Sequence, residues 1–158
     1  MNSFSHLDKD GRINMVDVGN KKVTHRTAVA EGKIYINHEI YKAIKNDEVK
    51  KGNVLNTAEI AGIMAAKKVP EMIPLCHQLN LSKVDVKAEL KEKYVRIESF
   101  VRCEGKTGVE MEALQAVNTA LLTVYDMCKA MGKDMEISNV HLLEKTGGKS
   151  GKYKRKKK

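Results

Sequence analysis

Tryptophan is absent from this chain, aromatic residues make up only 4 % of it, and proline occurs twice. So few rings offer little for bases to stack on, which counts against a single-stranded nucleic-acid surface. Cys76, Cys103 and Cys128 are odd in number and widely spaced, and no second thiol or histidine stands at zinc-finger spacing. That pattern predicts reduced thiols and no structural metal. No apolar run approaches the ~20 residues of a membrane span, and the opening MNSFSHLDKDGR is too polar for a signal peptide. A cytoplasmic protein with no membrane partner is expected.

Charge is present in excess, but it is unevenly placed. The formal net charge is +9, and Lys152, Lys154, Arg155, Lys156, Lys157 and Lys158 supply six of those charges with no acid among them. Without them the balance falls to +3. The body is therefore only mildly basic, which suits a local phosphate site better than a nucleic-acid surface. The 158 residues fit one domain with a real core. We read residues 1–151 as that domain, 1–20 being an extended arm, and 152–158 as a flexible basic tail.

The chain is organised around Gly105 to Lys129, GKTGVEMEALQAVNTALLTVYDMCK. No glycine or proline follows Gly108, and strong helix formers predominate, so one helix of about six turns is expected. The hydroxyl and acid of Thr107 and Glu110 have capping-box spacing, which predicts a start near Thr107. At about 100° per residue, Leu114, Val117, Leu121, Val124, Tyr125 and Cys128 share an apolar arc that Ala113, Ala116, Ala120 and Met127 extend. The remaining stripe, with Glu112, Asp126 and Lys129, is narrow and polar. Asp126 and Lys129, three residues apart, have the types needed for acid–base work, and equally those of a surface ion pair. Glu112 and Asp126 are only about 40° apart around the helix but roughly 21 Å apart along it. A small reacting centre in one subunit cannot touch both. A shared site would need a long ligand or a second subunit.

Around that helix the order is strand, helices, strand, strand, helix, strand. Residues 23–36 alternate as a strand or as a hairpin about Glu31-Gly32, and Arg26 lies within them. Asn37 caps a short helix, residues 53–68 form a second that Pro70 ends, and residues 71–77 are an irregular apolar link bearing His77. Leu81–Leu90 and Tyr94–Cys103 pair through the charged turn Lys91-Glu92-Lys93, and Met135–Leu143 closes the set. This is an α+β, β-α-β-β-α-β arrangement: an antiparallel sheet with helices on one face. At the end, Gly148-Lys149-Ser150 imitates part of a P-loop, but Leu143 stands where its first glycine belongs and no helix follows. A Walker-type NTPase is excluded. A glycine-rich loop with Lys145 and Lys149 could still wrap a phosphate.

Six motifs occur in one order: MVDVG (15–19), AGIMAAK (61–67), IPLCH (73–77), GKTGVEMEAL (105–114), LTVYDMCKA (122–130) and LLEKTGGKSG (142–151). Together they resemble the cyclic pyranopterin monophosphate synthase family, protein C of molybdenum cofactor biosynthesis. The resemblance runs from about His6 to Gly151. It implies a ferredoxin-like fold, a cytoplasmic homohexamer built as a trimer of dimers, and sites at subunit interfaces. The implied lyase activity turns a cyclised dihydro-GTP, (8S)-3',8-cyclo-7,8-dihydroguanosine 5'-triphosphate, into cyclic pyranopterin monophosphate and pyrophosphate.

Carried over by motif, Asp126, Lys129, Lys51 and His77 are the implied catalytic residues. Leu75, Cys76, His77, Met111 and Glu112 match substrate-binding segments, and Arg26, Glu110, Lys145 and Lys149 are further candidates. Proton transfers suit Asp, Lys and His. Clustered cations suit the charge that grows as pyrophosphate leaves, and a glutamate suits the paired N–H groups of a guanine-like edge. No tightly bound cofactor is implied. A triphosphate often arrives with Mg²⁺, although no carboxylate cage for one is evident. Gln78 stands where the family usually has proline, and the ending is more basic than the family leads one to expect. A nucleotide- or nucleic-acid-binding module that uses the tail is the competing expectation.

Overall fold

The computed structural model describes residues 6–156. Its elements in order are β1 (Thr24–Tyr35), α1 (His38–Lys45), α2 (Val54–Ala66), α3 (Val69–Met72), β2 (Leu81–Leu90), β3 (Tyr94–Gly105), α4 (Glu110–Cys128), β4 (Glu136–Thr146) and β5 (Tyr153–Lys154). The sheet runs β2-β3-β1-β4-β5, and every neighbouring pair is antiparallel. The first four strands thus have the order of a ferredoxin-like sheet, with β5 added outside β4. The α+β reading stands.

Local sequence accounts for most boundaries. Asn37 and Asn53 cap α1 and α2, their side chains accepting from the backbone N–H of Ile40 and Asn56 at 2.9 Å. On β1, alternate residues Ala28, Ala30 and Ile34 are fully buried beneath the helices, and Val95, Ile97 and Val101 do the same on β3. The long helix α4 lies across this face and buries Ala113, Ala116, Val117, Ala120, Leu121 and Val124. Its small residues are explained within the chain: α2 crosses it so closely that a Cβ on Gly62 would stand 2.8 Å from the Ala116 carbonyl.

Of the two readings of residues 23–36 the strand holds: residues 24–35 are one continuous strand, bent by bulges against β4 rather than folded back at Glu31-Gly32. The structure departs from the sequence expectations in four places. Helix α4 begins at Glu110 after Val109, which offers no side-chain cap, so Thr107 caps nothing. The reason lies at Gly108, over which the Glu110 carboxylate folds back; a Cβ there would be 2.0 Å from Oε2. Glu112, assigned to the polar stripe, is only 3 % exposed. Helix α2 stops at Ala66, and Pro70 lies in the first turn of α3, where its missing N–H costs no bond. Finally, the basic end lays Tyr153–Lys154 against β4, with the Arg155 N–H donating to the Leu143 carbonyl at 2.8 Å. Residues 1–5 of the arm and 157–158 of the tail lie outside the described residues. The described arm carries a small turn in which Leu7 bridges Ile13 and the Asp8 carboxylate accepts from two backbone N–H groups.

Candidate functional site

Three groups of the singled-out residues emerge, two adjoining and one apart. The first surrounds the start of α4. There the link after α3 brings Leu75, Cys76 and His77 against Thr107, Gly108, Met111 and Glu112, enclosing a cavity of about 110 Å³. A second small hollow, of about 130 Å³, reaches Glu112 from the side of Lys67, Glu71 and Gln78. The Glu112 carboxylate is thus buried between two cavities. Burial pushes its pKa up to about 7; its own backbone N–H opposes that rise and the nearby charge of Glu110 adds to it. Burial, helped by Glu112, also raises the Cys76 thiol. The His77 ring makes a 2.7 Å hydrogen bond to the Val16 carbonyl of the arm.

The second group is a groove of about 620 Å³ that shares Thr107 and Gly108 with the Glu112 cavity. Lys21, Lys22, Arg26, Lys106, Lys145 and Lys149 line it, against the single acid Glu110. Its floor is the start of β1 and its wall is the glycine loop after β4. Gly147, Gly148 and Gly151 all have positive φ, and a Cβ on Gly148 would meet the Arg26 guanidinium at 1.9 Å. The loop therefore wraps the guanidinium as only glycine permits. Arg26 donates from Nη2 to the Lys106 carbonyl at 3.2 Å, while its Nε and the Thr24 hydroxyl oxygen are buried without a partner among the described residues. Lys145 donates to the Ser150 hydroxyl. Six cations around one concave surface make a strong anion site.

The third group sits at the other end of α4. Lys51, in the turn before α2, donates to the Asp126 carboxylate at 2.8 Å and to its backbone carbonyl at 3.0 Å, and Lys129 reaches the other carboxylate oxygen at 2.7 Å. All three side chains are about half exposed. The Lys129 and Lys51 bonds hold the Asp126 pKa down to about 2, and Asp126 in turn raises that of Lys129. The trio is two ammonium groups oriented by one carboxylate. Only the lysines carry protons to donate, and the Asp126 carboxylate, ionised at neutral pH, is a weak base.

The geometry joins Leu75, Cys76, His77, Met111 and Glu112 in one place and Arg26, Glu110, Lys145 and Lys149 in its neighbour. It leaves Asp126, Lys129 and Lys51 about 21 Å away along the helix. Lys21, Lys22, Lys106 and Thr24 were not singled out from the sequence. The three lysines were visible as charges, but only the register of β1 against β3 and β4 brings these residues together.

A larger cavity, about 710 Å³, lies elsewhere, on the sheet face away from the helices. It contains none of the candidate catalytic or substrate-binding residues, although Lys154, Arg155 and Lys156 of the basic end line it. Glu31 there pairs with Arg96 at 2.7 Å and His141 at 3.1 Å, and Arg96 also holds Glu98. Burial alone would raise Glu31, but Arg96 and His141 bring it below its ordinary range. This network is self-satisfied. All three cysteines are free, Cys103 and Cys128 are buried, and burial pushes Cys128 up to about 11.

Comparison with known proteins bears on this arrangement. The model of the MoaC family matches residues 15–148. The cyclic pyranopterin monophosphate synthase of Clostridium botulinum (strain Alaska E43 / Type E3) is 54 % identical over 154 residues, covering 96 % of this chain and 97 % of its own length. Proteins of the same name from Bacillus thuringiensis subsp. konkukian (strain 97-27) and Bacillus anthracis (strain A0248) are each 54 % identical over 160 residues, covering 99 % of both partners.

Proposed function

The chain belongs to the MoaC family, and we propose that it makes cyclic pyranopterin monophosphate from (8S)-3',8-cyclo-7,8-dihydroguanosine 5'-triphosphate, releasing pyrophosphate. It is an enzyme of the lyase class in molybdenum cofactor biosynthesis. The observation that carries the reading is the junction at Thr107 and Gly108, where a groove of six cations opens beside a cavity floored by a buried carboxylate. A molecule with a triphosphate at one end and a guanine-derived ring at the other matches that pair of surfaces.

In this reading the triphosphate lies among Arg26, Lys145, Lys149 and their neighbours, whose fixed charges stabilise the charge that grows when a ribose hydroxyl attacks the α-phosphorus and pyrophosphate departs. Mg²⁺ comes only with the triphosphate, and no tightly bound cofactor takes part. Glu112 accepts from the paired N–H groups of the ring, a contact that needs its ionised form. Leu75, Cys76 and Met111 wall the cavity, and His77 exchanges protons at its mouth. Lys129 and Lys51 donate protons during ring opening and closure, held in place by Asp126.

The family resemblance adds a cytoplasmic homohexamer, a trimer of dimers, to the reading, and the roughly 21 Å between Asp126 and Glu112 in one chain supports a site in which one subunit's Asp126 group completes another's Glu112 cavity. Mixing two inactive variants, Glu112→Ala and Asp126→Ala, tests this. Recovery of pyrophosphate release after subunit exchange supports a site shared between subunits, and no recovery in verified mixed oligomers overturns it. The mild charge of the body outside the groove gives no support to a nucleic-acid-binding module.

A further inference from the structure

The arm that precedes β1 touches both halves of the site through backbone carbonyls. The Val16 carbonyl sits 2.7 Å from His77 Nε2, beside the Glu112 cavity, and the Gly19 carbonyl accepts from Lys106 Nζ at 2.7 Å, beside the cationic groove. Between them the Asp17 carboxylate accepts from the Gly19 N–H at 2.7 Å and the Val18 carbonyl from the Lys21 N–H at 3.0 Å, so the segment turns and delivers Lys21 and Lys22 to the groove. A carbonyl can only accept. Nε2 of neutral His77 must therefore carry the hydrogen, which leaves the Nδ1 lone pair as the ring's available base.

We propose that residues 14–22 form a strap that fixes the His77 tautomer, and that Lys106 is a positioning residue for it: by holding the Gly19 carbonyl, Lys106 keeps the Val16 carbonyl on Nε2 and so keeps Nδ1 the working nitrogen. Lys106 reaches the chemistry through the strap, and the phosphates need not touch it. Without the strap the imidazole would populate both tautomers and orientations, and part of the population would present a hydrogen where a lone pair is needed. The kinetic consequence rests on the synthase reading, but the tautomer does not.

The test uses the full chain with ¹⁵N-labelled imidazole and three variants: Lys106→Met, Lys106→Arg and Asp17→Ala. The last disrupts the turn that presents the Gly19 carbonyl and leaves every groove cation in place. In the parent, with the ring neutral, Nε2 should resonate as a pyrrole-like nitrogen and Nδ1 as a pyridine-like one. In Lys106→Met and Asp17→Ala both resonances should move toward averaged positions. Their kcat on the cyclised dihydro-GTP should fall roughly tenfold, part of the about 10²–10⁴-fold that a placed acid or base contributes. Lys106→Arg should restore the parent pattern and rate. An unchanged ¹⁵N pattern in folded Lys106→Met and Asp17→Ala overturns the proposal, as does a rise in KM alone for Lys106→Met with Asp17→Ala unaffected, which would make Lys106 a direct phosphate ligand. Failure of the parent to turn over would contradict the synthase reading instead, since the tautomer is read without substrate.

Discussion

Replacing Glu112 with glutamine should make the protein's stability depend less steeply on pH, and by an amount the structure fixes. The carboxyl is almost wholly buried at the start of α4, and burial lifts its pKa from 4.5 to about 7. Below 4.5 the folded and unfolded chains both hold the proton. Between 4.5 and about 7 the unfolded chain has released it while the folded chain keeps it, so stability falls as pH rises through that window and levels off above it. The interval corresponds to about 3 kcal/mol, at about 1.4 kcal/mol for each factor of ten. Glutamine cannot ionise. The stability of Glu112→Gln relative to the parent should therefore rise by about 3 kcal/mol between pH 4.5 and pH 8. Urea unfolding at a fixed protomer concentration measures it, because the linear slope with denaturant should be common to both chains. A difference that stays flat across the window would mean that Glu112 ionises as an exposed carboxyl does, and would contradict its burial between the two cavities. The same group predicts the acid limb of catalysis: kcat/KM should rise with pH through about 7 in the parent.

Three other perturbations probe the remaining parts. Asp126→Asn should cut kcat by about 10²–10⁴-fold with little change in folding, because the carboxylate lies on a half-exposed surface; since Asp126 is held at about 2, the parent should show no titration from it between pH 4 and 8, and an activity loss tracking protonation near pH 4 would contradict its environment. Gly148→Ala forces a side chain onto positive φ and into the Arg26 guanidinium, so it should raise KM for the triphosphate substrate about tenfold or more, with a weaker dependence on salt, as measured by initial rates at several ionic strengths. Gly32→Ala pushes a methyl to within 2.8 Å of Leu121 and Val117 and should cost about 1–3 kcal/mol in urea unfolding without touching the site.

Much of the fold was legible because the relevant physics is local. The alternation in Leu81–Leu90 and Tyr94–Cys103, the Asn37 cap and the apolar arc of α4 each depend on a few neighbouring residues. The failures had local and distant causes: the capping box at Thr107 gave way to a glutamate two residues on that folds over Gly108, whereas Glu112 passed from a polar stripe to a buried cavity because the link after α3, distant in sequence, packs over it. The same holds for the site. Asp126 and Lys129 could be paired from their spacing, but their third partner Lys51 is 75 residues away from Asp126 and was suggested only by family resemblance. The groove gathers Lys21, Lys22 and Lys106 through strand register, and the Val16 carbonyl on His77 is a backbone contact that carries no residue signature.

The account rests most on the chemistry assigned to Asp126 and Lys129 within the proposed reaction. The decisive measurement is pyrophosphate release and pterin formation from cyclised dihydro-GTP by the purified parent beside folded Asp126→Ala and Lys129→Ala. The account predicts turnover by the parent and its collapse in both variants. A folded, oligomeric parent that releases no pyrophosphate from authentic substrate, or variants that turn over as fast as it does, would contradict it.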